Sequence, residues 1–227
     1  MPDLAYCKKQ AADFAVQSVE SGMVIGLGHG TTAAFAVRRI AALLQSGVLH
    51  HVRGVPCSPA VEELARKLGV PITTLEDIPR IDLTIDGADE VTPRRELIKG
   101  GGGALLREKI VAQASRREII VVDGTKLSPH LGAHAAVPVE VLEFGWHTQA
   151  AYLEELGGLP SLRMTPDGTP FRTDQDNFIL DTDFGIIRRP AALAERLQAR
   201  AGIMAHGLFL GLATEVVIAD EDGIRTL

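Results

Sequence analysis

The stretch MVIGLGHGTTAAFAVRRIAALLQSG, Met23–Gly47, decides how the chain is read. MVIGLG is a short apolar run bounded by glycine, as a buried strand is. TTAAFAVRRIAALLQSG then carries apolar residues at helical spacing and closes on Gly47. A strand that turns through glycines into a helix opens an α/β unit. Working outward, VRGVPC is a second strand, and Ser58 is an N-cap with Pro59 at the first helical position of PAVEELARKLG. The segments ITTL, IDLTID and ELIK, a helix from about Ala104, and the strand EIIVVD continue the alternation. The expected fold is α/β with a largely parallel sheet.

Beyond Leu131 the texture changes. VPVEVLEF (strand), HTQAAYLEELGG (helix), SLRMT (strand), NFILDTDFG (strand), PAALAERLQARAG (helix) and IMAHGLFLG (strand) follow in the order β-α-β-β-α-β, the split βαβ or ferredoxin-like pattern. The expected division is a first domain over residues 1–131 and 206–227 and a second, smaller α+β domain over 132–205. The tail TEVVIADEDGIRTL is read as one or two strands turning at Asp222-Gly223 and returning to the first domain.

A chain of 227 residues, 46% hydrophobic and 23% charged, has the composition of a globular protein with a sizeable core. A formal charge of -6 disfavours nucleic acid as the main partner. No run approaches the length of a membrane span, the N-terminus lacks a signal peptide's apolar run, and Cys7 and Cys57 match no zinc spacing. The expectation is a cytoplasmic protein that binds neither membrane nor nucleic acid.

In a parallel sheet, ligands bind where strands end at their carboxyl side. Four loops qualify: IGLGHGTT (25–32), IDGADE (85–90), Lys99 with the glycines Gly100–Gly103, and VVDGTK (121–126). The first is a glycine-rich turn into a helix, where backbone N–H groups and the hydroxyls of Thr31 and Thr32 suit an anion; a tight turn with N-cap threonines is the plainer reading. It fits neither a dinucleotide fingerprint nor a P-loop. Asp86, Asp89 and Glu90 repel phosphate, so their loop serves hydroxyls, a metal or nothing. A run of four glycines between a strand and a helix is no linker; it is backbone that something approaches closely. Glu108 has Ala104, Leu105, Val111 and Ala112 as helical neighbours, none able to pair with it, while Lys109, Gln113 and Arg116 form the solvated face. A glutamate in apolar surroundings suits a general base. Lys99 and Lys126 each abut a strand-end loop and would balance an anionic substrate.

Together these pieces resemble the ribose-5-phosphate isomerases of the A type, through GLGHGTTAAF, DLTIDGADEV, LIKGGGGALLREKIVA, VVDGTK, VPVEVLEFG, TDQDNFILD and GLF, from residue 26 to about 209. The resemblance implies a Rossmann-like domain with a ferredoxin-like one, and a homodimer or homotetramer. It also implies interconversion of ribose 5-phosphate and ribulose 5-phosphate through an enediolate, with no metal or other cofactor. It makes Glu108 the base, Asp86 and Asp89 the groups that handle sugar hydroxyls and ring opening, and Lys99 the partner of the developing oxyanion. His29, Gly30, Thr31, Thr32, Asp86, Gly87, Ala88, Asp89, Lys99, Gly100, Gly101, Gly102 and Lys126 would line the substrate site. The phosphate would lie near the first loop and Lys126, with Lys8 a further candidate. Three positions depart from the family: His29-Gly30-Thr31-Thr32 for threonine-glycine-serine-threonine, Gln175-Asp176 for asparagine-glycine, and Thr125 for serine. A sugar-phosphate sensor and an isomerase of another aldose phosphate are the competing readings.

Overall fold

The computed structural model describes residues 3–227; Met1 and Pro2 lie outside the described residues. In chain order the elements are α1 (Leu4–Val16), β1 (Val24–Leu27), α2 (Thr31–Gln45), β2 (Arg53–Pro56), α3 (Pro59–Lys67), β3 (Leu83–Asp86), β4 (Glu90–Val91), β5 (Leu97–Ile98), α4 (Leu105–Gln113) and β6 (Glu118–Asp123). After β6 comes a single 3₁₀ turn, Gly124–Lys126. Then follow β7 (Val137–Val141), α5 (Trp146–Glu155), β8 (Leu159–Leu162), β9 (Phe178–Asp183), α6 (Pro190–Gln198), β10 (Ile203–His206), β11 (Leu208–Phe209), β12 (Glu215–Asp220) and β13 (Gly223–Thr226). They form two compact units: Met1–Ala88 with Arg107–Leu127 and Gly211–Leu227, and Asp89–Leu106 with Ser128–Leu210.

The first unit holds a six-stranded sheet in the order β13-β12-β6-β3-β1-β2. All its pairings are parallel except β12 with the edge strand β13. Every residue of β1, β3 and β6 is buried, which is why β1 and the centre of β6, residues 119–122, read as continuous apolar runs, while β3 buries Thr84 and Asp86 between its apolar residues. The helix α1, which pattern reading passed over, starts at Asp3, whose Oδ1 accepts the N–H groups of Ala5 and Tyr6. Ile72 makes only an isolated bridge to Gly54, so ITTL is no strand: the chain turns away at once, with Thr74 Oγ1 and the Asp77 side chain closing the bend.

The second unit carries a four-stranded antiparallel sheet in the order β10-β7-β9-β8, the ferredoxin-like arrangement of a β-α-β-β-α-β chain. Alternation along β7 sorts its two faces. Val137, Val139 and Val141 join Leu153 of α5 and Leu197 of α6 in one core. On the opposite face, Ile179 of β9 and Ala205 of β10 pack with Leu105 and Phe171. A third, small ladder, β11-β5-β4, ties residues 89–98 into this unit. IMAHGLFLG therefore divides at Gly207: β10 pairs with β7 and β11 with β5. Gly207 donates to Pro138 O and accepts from Lys99 N–H, an approach that leaves no room for a Cβ. SLRMT begins as strand two residues earlier than read, at Leu159.

Glu140 of β7 is fully buried, and its Oε1 accepts from Thr173 Oγ1 at 2.8 Å and Asn177 Nδ2 at 2.9 Å. Burial pushes this carboxyl above its ordinary pKa, and the two hydrogen bonds offset part of that rise. The folded chain thus keeps the proton to higher pH than the unfolded chain. The group's contribution to stability is whole below the ordinary carboxylate pKa and is lost as pH rises through the folded value. Glu140→Gln cannot ionise. The melting temperature of the variant minus that of the parent should climb as pH rises above the ordinary carboxylate pKa of about 4; a flat difference would show that the carboxyl titrates alike in both states.

Candidate functional site

In the first unit, the parallel register brings the carboxyl ends of β1, β3 and β6 side by side, with Leu27 opposite Ile85 and Asp86 opposite Ile120. Asp86 is buried, and its Oδ1 accepts the backbone N–H of His29 at 3.0 Å and that of Gly87 at 2.7 Å. One carboxylate oxygen thereby joins the loop after β1 to its own loop. Gly30, with φ at 101°, occupies the N-cap position of α2, a conformation that disfavours any side chain. Thr31 and Thr32 are therefore the first two helical residues and not N-caps, so their hydroxyls are not used on the helix's own N–H groups. Thr31 Oγ1 instead accepts from Lys8 Nζ at 3.3 Å, which sets a cation from α1 beside the helix N-terminus. His29 Nδ1 lies 2.9 Å from Ser58 Oγ, while that same Oγ caps α3 through Val61 N–H. Ser58 as an N-cap was legible; its second bond to His29 had no sequence signal.

Lys126 ends the 3₁₀ turn after β6. Asp123 caps that turn, accepting from Thr125 N–H at 3.0 Å and from the Thr125 hydroxyl. Threonine in place of serine keeps that hydroxyl bond, so the departure leaves the turn intact.

Helix α4 begins at Leu105, one residue later than read. Glu108 is 5% exposed, among Ala104, Leu105, Val111 and Ala112, all buried as its spacing implied. Its neighbour Lys109 corrects the reading: it is only half-exposed, not on a solvated face, and burial lowers its pKa to about 8. Gln113 and Arg116 are exposed as expected, and the apolar Ile110 is exposed with them, because α4 has little amphipathic character.

In the second unit the acids of the DGADE loop take separate tasks. Glu90 is fully buried, and its carboxylate accepts three backbone N–H groups, from Gly132 at 2.7 Å and from Ala133 and His134 at 3.1 Å. It anchors the segment leading into β7. Asp89 Oδ2 accepts the N–H of Gly101 at 2.8 Å. Lys99, 2% exposed, lays its Nζ 5.4 Å from the centre of the Phe209 ring.

The glycine run is held, not floppy. A Cβ on Gly101 would stand 2.8 Å from Asp89 Oδ1, and one on Gly103 would stand 2.5 Å from the Phe171 ring. Arg163, just after β8, sends Nη1 to the carbonyls of both Gly100 and Gly101 at 3.1 Å. Its Nε and Nη2 bind the two oxygens of Asp181 at 2.8 and 2.5 Å. No motif pointed to Arg163. In the turn before β9, Asp176 takes φ of 61°, the left-handed conformation that suits the family's glycine; Arg172 Nη1 meets its carbonyl and carboxylate at 3.1 Å.

The first unit thus carries His29, Gly30, Thr31, Thr32, Asp86, Gly87, Ala88, Glu108 and Lys126, and the second carries Asp89, Lys99, Gly100, Gly101 and Gly102. Among the described residues, no three His, Cys, Asp or Glu side chains gather as a metal would require, and no helix is long and apolar enough to cross a membrane.

Comparison with known proteins gives this arrangement a family. The family model described as Ribose 5-phosphate isomerase A (phosphoriboisomerase A) matches residues 53–223. Ribose-5-phosphate isomerase A of Chloroflexus aurantiacus is 58% identical over 218 residues, which cover 96% of this chain and 91% of that protein. The solved ribose 5-phosphate isomerase from Plasmodium falciparum superposes with a TM-score of 0.95 at 40% identity, covering 98% of both chains. A D-ribose-5-phosphate isomerase solved in complex with phospho-erythronic acid reaches a TM-score of 0.97 at 34% identity, covering 99% of both. The chain therefore belongs to the ribose 5-phosphate isomerase A family, the aldose-ketose isomerases that interconvert ribose 5-phosphate and ribulose 5-phosphate through an enediolate.

Proposed function

We propose that Glu108 is the base of this isomerisation, moving one proton between C1 and C2 of the open-chain sugar phosphate. The observation that carries this reading is a glutamate 5% exposed on an otherwise apolar helix face. A carboxyl group held out of bulk water on a helix is a positioned side chain of the kind that general-base chemistry uses. Lys99 meets the oxyanion that develops as the proton leaves; its burial, which removes it from bulk water, supports that role. Asp86 and Asp89 take sugar hydroxyls and assist ring opening, and backbone from Gly87–Ala88 and Gly100–Gly102 borders the substrate. The phosphate binds at His29–Thr32 and Lys126. The Lys8–Thr31 bond supports adding Lys8 to that set. The relative solved with phospho-erythronic acid held a phosphorylated acid, an anion of the class that these lysines suit.

No metal takes part in this reading: lysine supplies the charge that a Lewis acid otherwise would. The protein acts in the cytoplasm, in keeping with Cys7 and Cys57, both buried and neither in a disulfide, and binds neither nucleic acid nor membrane. It works as a homodimer or homotetramer, and exposed apolar side chains such as Phe144 and Leu159 suit such an assembly.

Glu108→Gln keeps the side chain's shape and removes the base. Turnover should fall by about 10²–10⁴-fold, and exchange of the substrate's C2 proton with heavy water should stop. Asp86→Asn should spare more of that exchange when open-chain substrate is supplied. Near-normal exchange in Glu108→Gln would end its assignment as base.

For Lys126, a phosphate contact is made alike in ground and transition states. Lys126→Ala should therefore raise KM more than it lowers kcat. A loss confined to kcat would move this lysine to the reacting carbons. Activity should also survive exhaustive chelation; loss on chelation, restored by a divalent cation, would reassign the Asp86 and Asp89 loop to a metal.

A further inference from the structure

The peptide units of the glycine run are oriented from outside the run. A trans peptide points its C=O and its N–H in opposite directions, and the chain has no cis peptide bond among the described residues. The Gly100 carbonyl is turned to Arg163 Nη1, so the N–H of the same peptide, that of Gly101, points the other way, where Asp89 Oδ2 receives it. The Gly101 carbonyl is turned to the same Nη1. The N–H of Gly102, at an exposed residue, is thereby directed away from Arg163 and to the side on which Asp89 lies.

Arg163 can do this because it is itself fixed. In the antiparallel register Ser161 faces Asp181, and Arg163 N–H bonds Ile179 O, which makes Arg163 and Asp181 diagonal neighbours on one face. The carboxylate takes two guanidinium nitrogens side by side, leaving Nη1 for the two carbonyls. The side chain is 15% exposed, and its guanidinium carbon lies 5.7 Å from the centre of the Phe171 ring. A lysine could not serve in its place: its single ammonium cannot span a carboxylate and two carbonyls in one plane.

We infer that Arg163, held by Asp181, is a positioning residue for the isomerisation: by taking the Gly100 and Gly101 carbonyls it aims the Gly102 N–H at a substrate oxygen on the Asp89 side of the run. This rests on the proposed reading that the glycine run borders the substrate. The guanidinium also draws electron density toward the two carbonyls, which makes the N–H groups of those peptides stronger donors.

The probe is phospho-erythronic acid, with the backbone amides of Gly101 and Gly102 followed by NMR and turnover measured alongside. In the parent protein the Gly102 amide should shift on binding. In Arg163→Ala that shift should be lost and kcat should fall by about 10²-fold, with KM changed far less, as expected for a misplaced donor. Added guanidinium ion should restore part of kcat, whereas methylammonium should not. Arg163→Lys keeps the charge beside Asp181 and should lose kcat in the same way, which covers the case in which the alanine variant does not fold. No Gly102 shift in the parent would remove the glycine run from the substrate site. A parent shift that persists unchanged in Arg163→Lys, with normal kcat, would overturn the role of Arg163 alone.

Discussion

The first unit depends on one carboxylate oxygen. Where parallel strands end, the chain leaves the sheet with backbone N–H groups that the ladder no longer serves, and burying them unpaired is costly. Asp86 Oδ1 takes two of them, from His29 and Gly87, at the end of β3. The loops after β1 and β3 thus share one acceptor. The buried oxygen is satisfied because two N–H dipoles converge on it. This makes Asp86 an anchor whatever it does to substrate, so its removal disturbs the geometry of His29 as well as the chemistry.

The second unit repeats the device with different partners. Glu90 holds three N–H groups of the segment before β7, and Asp89 holds the N–H of Gly101. Three acids within five residues suggest a metal or a solvated turn. Here each binds backbone N–H, and each fixes a different piece of chain. The proposed chemistry is laid over that scaffold: Asp86 and Asp89 are placed by the bonds they make to the backbone, and bare glycine gives a substrate backbone to lie against.

Much of this was legible beforehand. The mostly parallel sheet could be read because strands buried on both faces carry continuous apolar runs, as MVIGLG and the IIVV centre of β6 do. The ferredoxin-like unit could be read from the order of its strand and helix patterns. Glu108 stood out because none of its four neighbours along the helix face carries a charge. The misreadings have local causes. ITTL has strand composition but meets its neighbour at one bridge only, and Lys109 does not share the exposure of Gln113 and Arg116. A continuous apolar strand over 203–211 was broken by the neighbours at Gly207, which no pattern within the segment records.

What the amino-acid sequence by itself determined was the class of most elements, the family, and the residue types whose chemistry suits moving a proton and balancing a phosphate. These follow from periodicity and from motifs within short spans of chain. Only the tertiary structure decided which hydrogen bonds those residues make. The bonds of Arg163 to the glycine run join residues about sixty positions apart, as does that of His29 with Asp86. Such partners are chosen by strand register and by the need to satisfy buried backbone groups, and neither is written in the spacing of the residues concerned.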